Sequence, residues 1–236
     1  MTQPKDRILV ALDTPDVDRA ATLAVATADA VGGVKIGLEF FNANGPSGVR
    51  QVVGTGVPLF LDLKFHDIPN TVAGAVRSVA PLAPLIVNLH AAGGPEMMKA
   101  GKAAAVSEAE RLGVSPPRVI AVTVLTSLDD GDLSAVGQGS DTRAQALRLA
   151  TLTRDCGLDG VVCSPLEIEA IRAACGPDFT LVVPGIRPAG AEVGDQKRVM
   201  TPADAVAAGA DYMVIGRPIT AAADPAAAAR VIAASL

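Results

Sequence analysis

Eight short apolar runs recur along the chain, separated by longer helix-like segments. They are ILVALD from Ile8, GVKIGLEF from Gly33, PLFLDLKF from Pro58, LIVNLH from Leu85, RVIAVTVLT from Arg118, DGVVCS from Asp159, FTLVVPGIR from Phe179 and DYMVIGR from Asp211. The runs are rich in β-branched residues and nearly continuous in hydrophobicity. That pattern suits parallel strands covered on both faces, not hairpins with one wet side. The segments between them carry helix punctuation. Pro95, Pro165, Pro202 and Pro225 stand where a first helical residue should be, since the N–H that proline lacks has no helical partner there. Gly113, Gly157, Gly176 and Gly209 follow apparent helix ends, where a left-handed cap is wanted. The stretch TPADAVAAGADYMVIG holds one complete unit: Thr201 as N-cap, Pro202, a short helix, Gly209, then a strand.

Strand and helix alternating over the whole length imply βα units joined by right-handed crossovers. The expected fold is α/β, a single-domain (β/α)8 TIM barrel spanning residues 1–236. A doubly wound open sheet is the rival, but it usually carries fewer strands at this length. No linker or low-complexity break divides the chain. The longest irregular stretches are residues 188–199 after the seventh run and 129–141 after the fifth, and long βα loops are where a barrel keeps its function.

Composition narrows the function. Hydrophobic residues make up 50% of the chain, aromatics only 3%, so the core must be aliphatic. A net charge of −5 is a poor match for nucleic acid, which calls for a basic footprint. No basic helix face suggests a membrane surface, and no apolar stretch approaches the ~20 residues of a membrane span. The first apolar run is interrupted by Asp13, too soon for a signal peptide. Cys156, Cys163 and Cys175 have no metal-ligand spacing and read as reduced thiols of a cytoplasmic protein.

In a barrel, chemistry sits at the C-terminal ends of the strands. Those ends carry Asp13 on the first run, Lys35 on the second, and Asp62 and Lys64 on the third, with Asp67 just beyond. His90 ends the fourth run, Thr126 the fifth, Arg187 follows the seventh and Arg217 ends the eighth. Asp62 and Lys64 are two apart and share a strand face. If Leu61 and Leu63 point toward the helices, that face is the barrel interior, and the charges there must neutralise one another. Such a pair is either a salt bridge that fixes the barrel or part of a site. In VIGRPI, Gly216 lets backbone N–H groups approach a ligand and Arg217 offers a planar fork for phosphate, with Arg187 and Gln196 as further donors. The plainer alternative is an arginine that caps a carbonyl or pairs with a surface acid. His66 and His90 read as hydrogen-bonded supports rather than bases; Thr126 and Ser127 either touch a ligand or cap a turn. No Ser-His-Asp order, Walker loop or CxxC pair is present.

The stretch LDLKFHDIPNTV, with its D-x-K-x-x-D core, resembles the signature of the orotidine 5′-phosphate decarboxylase family. The resemblance continues through ALDTPD, VKIGLEFF, VTVLTSL, PGIRP, DQKRVMTP and DYMVIGRPI, in order and over essentially the full length. It departs at Val183, where a small polar residue is frequent, and residues 129–141 match poorly. The resemblance implies conversion of orotidine 5′-monophosphate to UMP and carbon dioxide with neither metal nor organic cofactor. It implies Lys64 as proton donor to C6, Asp62 and Asp67 beside the departing carboxylate, and Lys35 completing a Lys-Asp-Lys-Asp array. Asp13, Lys35 and Thr71 resemble ribose contacts and Thr126 a pyrimidine contact. Arg187, Gln196, Gly216 and Arg217 resemble the phosphate site. A homodimer is implied, with Asp67 and Thr71 reaching into the neighbouring subunit's site. Two other readings stand beside this one. A metal-dependent sugar-phosphate decarboxylase or aldolase of the same suprafamily would ligate Mg²⁺ through Asp13, Asp62 and Asp67, but Lys35 and Lys64 among them would repel it. A non-catalytic barrel binding a phosphate ligand would show a broken charge array.

Overall fold

A computed structural model of the chain describes residues 3–188 and 200–236. All eight foreseen runs form strands: β1 (Ile8–Ala11), β2 (Gly33–Ile36), β3 (Leu59–Phe65), β4 (Ile86–His90), β5 (Arg118–Val122), β6 (Gly160–Val162), β7 (Thr180–Val183) and β8 (Tyr212–Ile215). Each pairs in parallel with its sequence neighbours, and β8 closes on β1, so the sheet is a barrel and not an open doubly wound sheet. The helices are α1 (Val17–Thr27), α2 (Leu38–Val53), α3 (Pro69–Val79), α4 (Pro95–Leu112), α5 (Asp130–Ala135), α6 (Thr142–Asp155), α7 (Ile168–Cys175), α8 (Pro202–Ala208), α9 (Arg217–Thr220) and α10 (Pro225–Ala234).

The period-two alternation of the strands sorts apolar residues into two layers. Leu9, Ala11, Phe60, Ile86, Ile120, Val182 and Val214 fill the barrel interior. Their neighbours Ile8, Val10, Leu59, Leu61, Val87, Leu89 and Leu181 pack outward with the helices. Leu61 and Leu63 both lie in this outer layer, which leaves Asp62 and Lys64 on the interior side.

The punctuation acts as its chemistry requires. Pro95, Pro202 and Pro225 open α4, α8 and α10, while Pro165 opens a 3-10 turn ahead of α7. Thr201 accepts the Asp204 N–H at the start of α8, and Gly209 ends that helix at φ +113°, where a Cβ would be strained.

Three boundaries differ from the sequence reading. The fifth strand stops at Val122, so Thr126 lies in the loop beyond it. Strand β8 stops at Ile215, and Arg217 opens α9. Residues 129–141 are not wholly irregular: Asp129 and Asp132 cap α5 reciprocally, side chain to backbone in both directions.

The opposite, N-terminal end of the barrel also carries charge, but it is spent on structure. Asp159 accepts both the Lys102 ammonium and the Val119 N–H; Asp211 accepts Arg172 and the Leu181 N–H. Each acid stitches the start of one strand to its neighbour, the role expected on the stability face of a barrel. Among the described residues, no helix is long and apolar enough to cross a membrane.

Candidate active site

A cavity of about 410 Å³ opens at the C-terminal ends of the strands. Of the residues foreseen as functional, Asp13, Lys35, Asp62, Lys64, Thr126, Arg187, Gly216 and Arg217 line it. They come from six different βα units, and only closure of the barrel brings them together.

At the centre, acids and bases alternate. Lys35 Nζ lies 3.1 Å from Asp13 Oδ1 and 3.3 Å from Asp62 Oδ2; Lys64 Nζ lies 2.6 Å from Asp62 Oδ1. Lys35 and Asp62 are each only 8% exposed. Burial acts to lower the Lys35 pKa, but the Asp62 and Asp13 carboxylates outweigh it and the net shift is upward. Burial acts to raise the Asp62 pKa, but Lys35, Lys64 and a hydrogen bond from Asn88 outweigh it and hold the carboxyl below its ordinary range. Both side chains are therefore charged at neutral pH, and Asp62 is held between two ammonium groups with one oxygen for each.

Near β8, a Cβ placed on Gly216 would lie 3.6 Å from the Ala11 Cβ and 4.0 Å from Asp13 Oδ2, toward the cavity. The absent side chain keeps that wall low, and Arg187 and Arg217 line the same cavity. Arg187 also donates from Nη1 to Ile186 O at 3.0 Å. Gln196 lies outside the described residues.

The rest of the lining is apolar and was not singled out from the sequence: Phe60, Val122, Val124, Leu125, Val162, Pro184 and Val214. Isolated apolar residues in a half-hydrophobic chain carry no signal of a pocket; only the strand-end position could have marked them. Cys163 joins this wall. Burial pushes its thiol pKa well up, so it is a neutral wall residue and no nucleophile.

Asp67 and Thr71 are not brought into this cavity. Asp67 Oδ1 accepts the Ile68 N–H at 2.6 Å, and Thr71 sits exposed in the first turn of α3. Among the described residues Asp67 forms no ion pair within the chain, so Lys64 is held by Asp62 and not by its own chain's Asp67. The loop holding Asp67 lies in a shallow groove with His66, Ile68, Pro69, Ala92 and Gly93.

Next to Asp67, His66 stacks on His90, ring centroids 5.3 Å apart. Among the described residues His90 Nδ1 is buried without a hydrogen-bond partner, so this nitrogen does not provide the hydrogen-bonded support foreseen. Burial, then His66 and Lys64, lower the His90 pKa to about 4. A consequence for stability follows by linkage. The unfolded chain takes up a proton at its ordinary value near ~6.5, which folded His90 refuses until about 4. Stability is therefore expected to fall as pH drops through that window. His90→Gln should flatten the fall in a series of urea midpoints between pH ~7 and ~4; an unchanged slope would assign the loss elsewhere. Asp62 contributes its own loss only at lower pH, below the ordinary carboxylate range.

A family model described as Orotidine 5'-phosphate decarboxylase / HUMPS family matches residues 6–232. The orotidine 5'-phosphate decarboxylase of Rhodospirillum rubrum is 59% identical over 234 residues, 99% of this chain and 94% of that protein. The enzyme of the same name from Paramagnetospirillum magneticum is 58% identical, covering 97% of each. Among solved structures, orotidine 5'-phosphate decarboxylase from Lactobacillus acidophilus superposes with a TM-score of 0.85 at 36% identity, over 97% of both chains. A closed barrel carrying the D-x-K-x-x-D stretch at its mouth, matched nearly end to end by these relatives, belongs to the orotidine 5'-phosphate decarboxylase / HUMPS family.

Proposed function

We propose that this chain converts orotidine 5′-monophosphate to UMP and carbon dioxide, the last step of de novo pyrimidine nucleotide synthesis, with Lys64 as proton donor. The observation that carries the reading is the alternating array Asp13, Lys35, Asp62, Lys64, with the Lys64 ammonium at the cavity wall and Asp62 2.6 Å behind it.

Loss of carbon dioxide from C6 leaves an electron pair in the plane of the pyrimidine ring, where no carbonyl can delocalise it. A fixed cation at that point stabilises the charge as it develops, and stabilises the neutral-bond reactant far less. Lys64 then gives C6 a proton, becomes a neutral amine and recovers its proton from solvent. Asp62 holds the ammonium in place. It also stands against the substrate carboxylate: two like charges ~4 Å apart cost about 4 kcal/mol at an effective dielectric of ~20. Binding the remote phosphate through Arg187, Arg217 and the Gly216 backbone offsets that cost, and Gln196 is a further donor in this reading. Asp13 and Lys35 contact the ribose and Thr126 the pyrimidine edge.

The active form is a homodimer in this reading. Asp67 and Thr71, which do not line their own chain's cavity, complete the site of the neighbouring subunit, Asp67 beside the departing carboxylate and Thr71 at the ribose. The protein works in the cytoplasm. The metal-dependent alternative is disfavoured by the donor set: a divalent ion seated on Asp62 would have to displace both ammonium groups from its two oxygens.

The test is the loss of orotidylate absorbance on adding purified protein, with and without EDTA. Equal rates in both arms are expected. No absorbance change, or activity lost to the chelator, would overturn the reading.

A further inference from the structure

Strands β3 and β4 stay in register only as far as Leu61 and Val87; the next paired residues are Phe65 and Leu89. Four residue steps on β3 are taken up by two on β4. Lys64 lies in the excess with φ +51°, a left-handed conformation that a lysine holds only under constraint. The β4 residue between the two pairs is Asn88, fully buried at 0% exposure. Its Oδ1 accepts the Lys64 backbone N–H at 2.8 Å, and its Nδ2 donates to Asp62 Oδ1 at 2.7 Å. Chemistry fixes this orientation of the amide, since an N–H needs an oxygen and a carboxylate needs a donor. The Asp62 oxygen it holds is the one that Lys64 Nζ reaches.

We propose that Asn88 is a positioning residue for the reaction: one carboxamide holds the Lys64 backbone in its left-handed conformation and, from its other end, aims the Asp62 oxygen that receives the Lys64 ammonium. The bulge leaves the Lys64 N–H without a ladder partner, and Asn88 replaces that partner with a side chain of fixed length. Backbone and ammonium of one lysine are thereby tied to the same two-ended group. Asn88 is fully buried and is not among the residues that line the cavity, so it acts on the reaction through Lys64 and Asp62. Removing it frees Lys64 to relax to an ordinary φ, which moves Nζ away from where the carbanion forms. The inference rests on Lys64 being the proton donor.

The experiment measures kcat for orotidine 5′-monophosphate and the Kd of UMP in wild type, Asn88→Ala and Asn88→Asp. The alanine variant is expected to lose about 100-fold in kcat, the scale of a ~1 Å misplacement, while UMP affinity changes by less than about 3-fold. The aspartate variant keeps the oxygen that accepts the Lys64 N–H but sets a second oxygen against Asp62. The charged and titratable groups around that position are Asp62 and Lys64 on β3, Lys35 on β2 and, on β4 itself, His90. The last is coupled to Lys64 and, with its pKa lowered to about 4, stays neutral from pH ~8 to pH ~6. Protonated, the introduced carboxyl donates to Asp62 as the amide did; ionised, it repels it. Its kcat relative to wild type should therefore rise by about 10-fold or more from pH ~8 to pH ~6, a response that a mere packing role does not produce. If the alanine variant does not fold, the pH response of the aspartate variant decides. A kcat within about 3-fold of wild type, UMP affinity lost in step with kcat, or a deficit in the aspartate variant that does not change with pH would overturn the inference. Inactive wild-type protein would overturn the functional reading and this inference with it, whereas an active wild type with unaffected variants overturns this inference alone.

Discussion

Lys64→Ala is expected to lower turnover of orotidine 5′-monophosphate by about 10⁴-fold or more while the protein stays folded. The size follows from two losses at one atom. A positioned general acid contributes about 10²–10⁴-fold, and a preorganised charge aimed at a developing anion adds about 10²–10³-fold. Both contributions come here from the same ammonium, so they disappear together. The fold should survive because Asp62 keeps Lys35 at 3.3 Å and is not left as an unpaired buried charge. The loss should therefore appear in kcat and not in the melting temperature, and UMP should still bind through the arginines and Gly216. Near-normal steady-state activity in a folded Lys64→Ala protein would remove Lys64 from the chemistry.

The second large effect concerns subunits. Asp67→Ala alone should be nearly inactive, although Asp67 lies outside its own chain's cavity. Mixing Asp67→Ala with Lys64→Ala protein should restore activity. In a mixed dimer with shared sites, one site receives both intact residues and the other receives neither. Random exchange makes half the dimers mixed, so about a quarter of all sites recover. The control is wild type carried through the same exchange, with mixed dimers demonstrated by a tag on one partner. No recovery in demonstrated mixed dimers would confine each site to one chain and take Asp67 and Thr71 out of it.

The barrel was legible in the sequence because its signals are local. Eight apolar runs, prolines at first helical positions and glycines at helix ends each report the backbone state of a few residues, and together they left little room for another topology. The charged array was legible for a related reason: Asp13, Lys35, Asp62 and Lys64 stand at strand ends in a chain otherwise sparing with charge, and a parallel barrel gathers such ends at one mouth. What the sequence did not disclose depends on register. No composition or spacing marks the bulge that sets four residues of β3 against two of β4, nor the positive φ it imposes on Lys64. In the sequence Asn88 is one polar residue in an apolar run, and its two hydrogen bonds exist only because that bulge faces it. His90 shows the same limit: it reads as a hydrogen-bonded support, but the fold stacks it on His66 with Nδ1 buried and, among the described residues, unbonded. The apolar cavity wall was hidden for want of contrast, since Val122, Val162 and Val214 differ in type from nothing around them.

The most direct test is a crystal structure of the protein with UMP bound. Lys64 Nζ is expected within about 3.5 Å of the pyrimidine C6, a distance fit for proton transfer, with Asp62 on its far side and the phosphate between Arg187 and Arg217. A Lys64 ammonium turned away from C6, or a divalent ion seated between Asp62 and the ring, would contradict it.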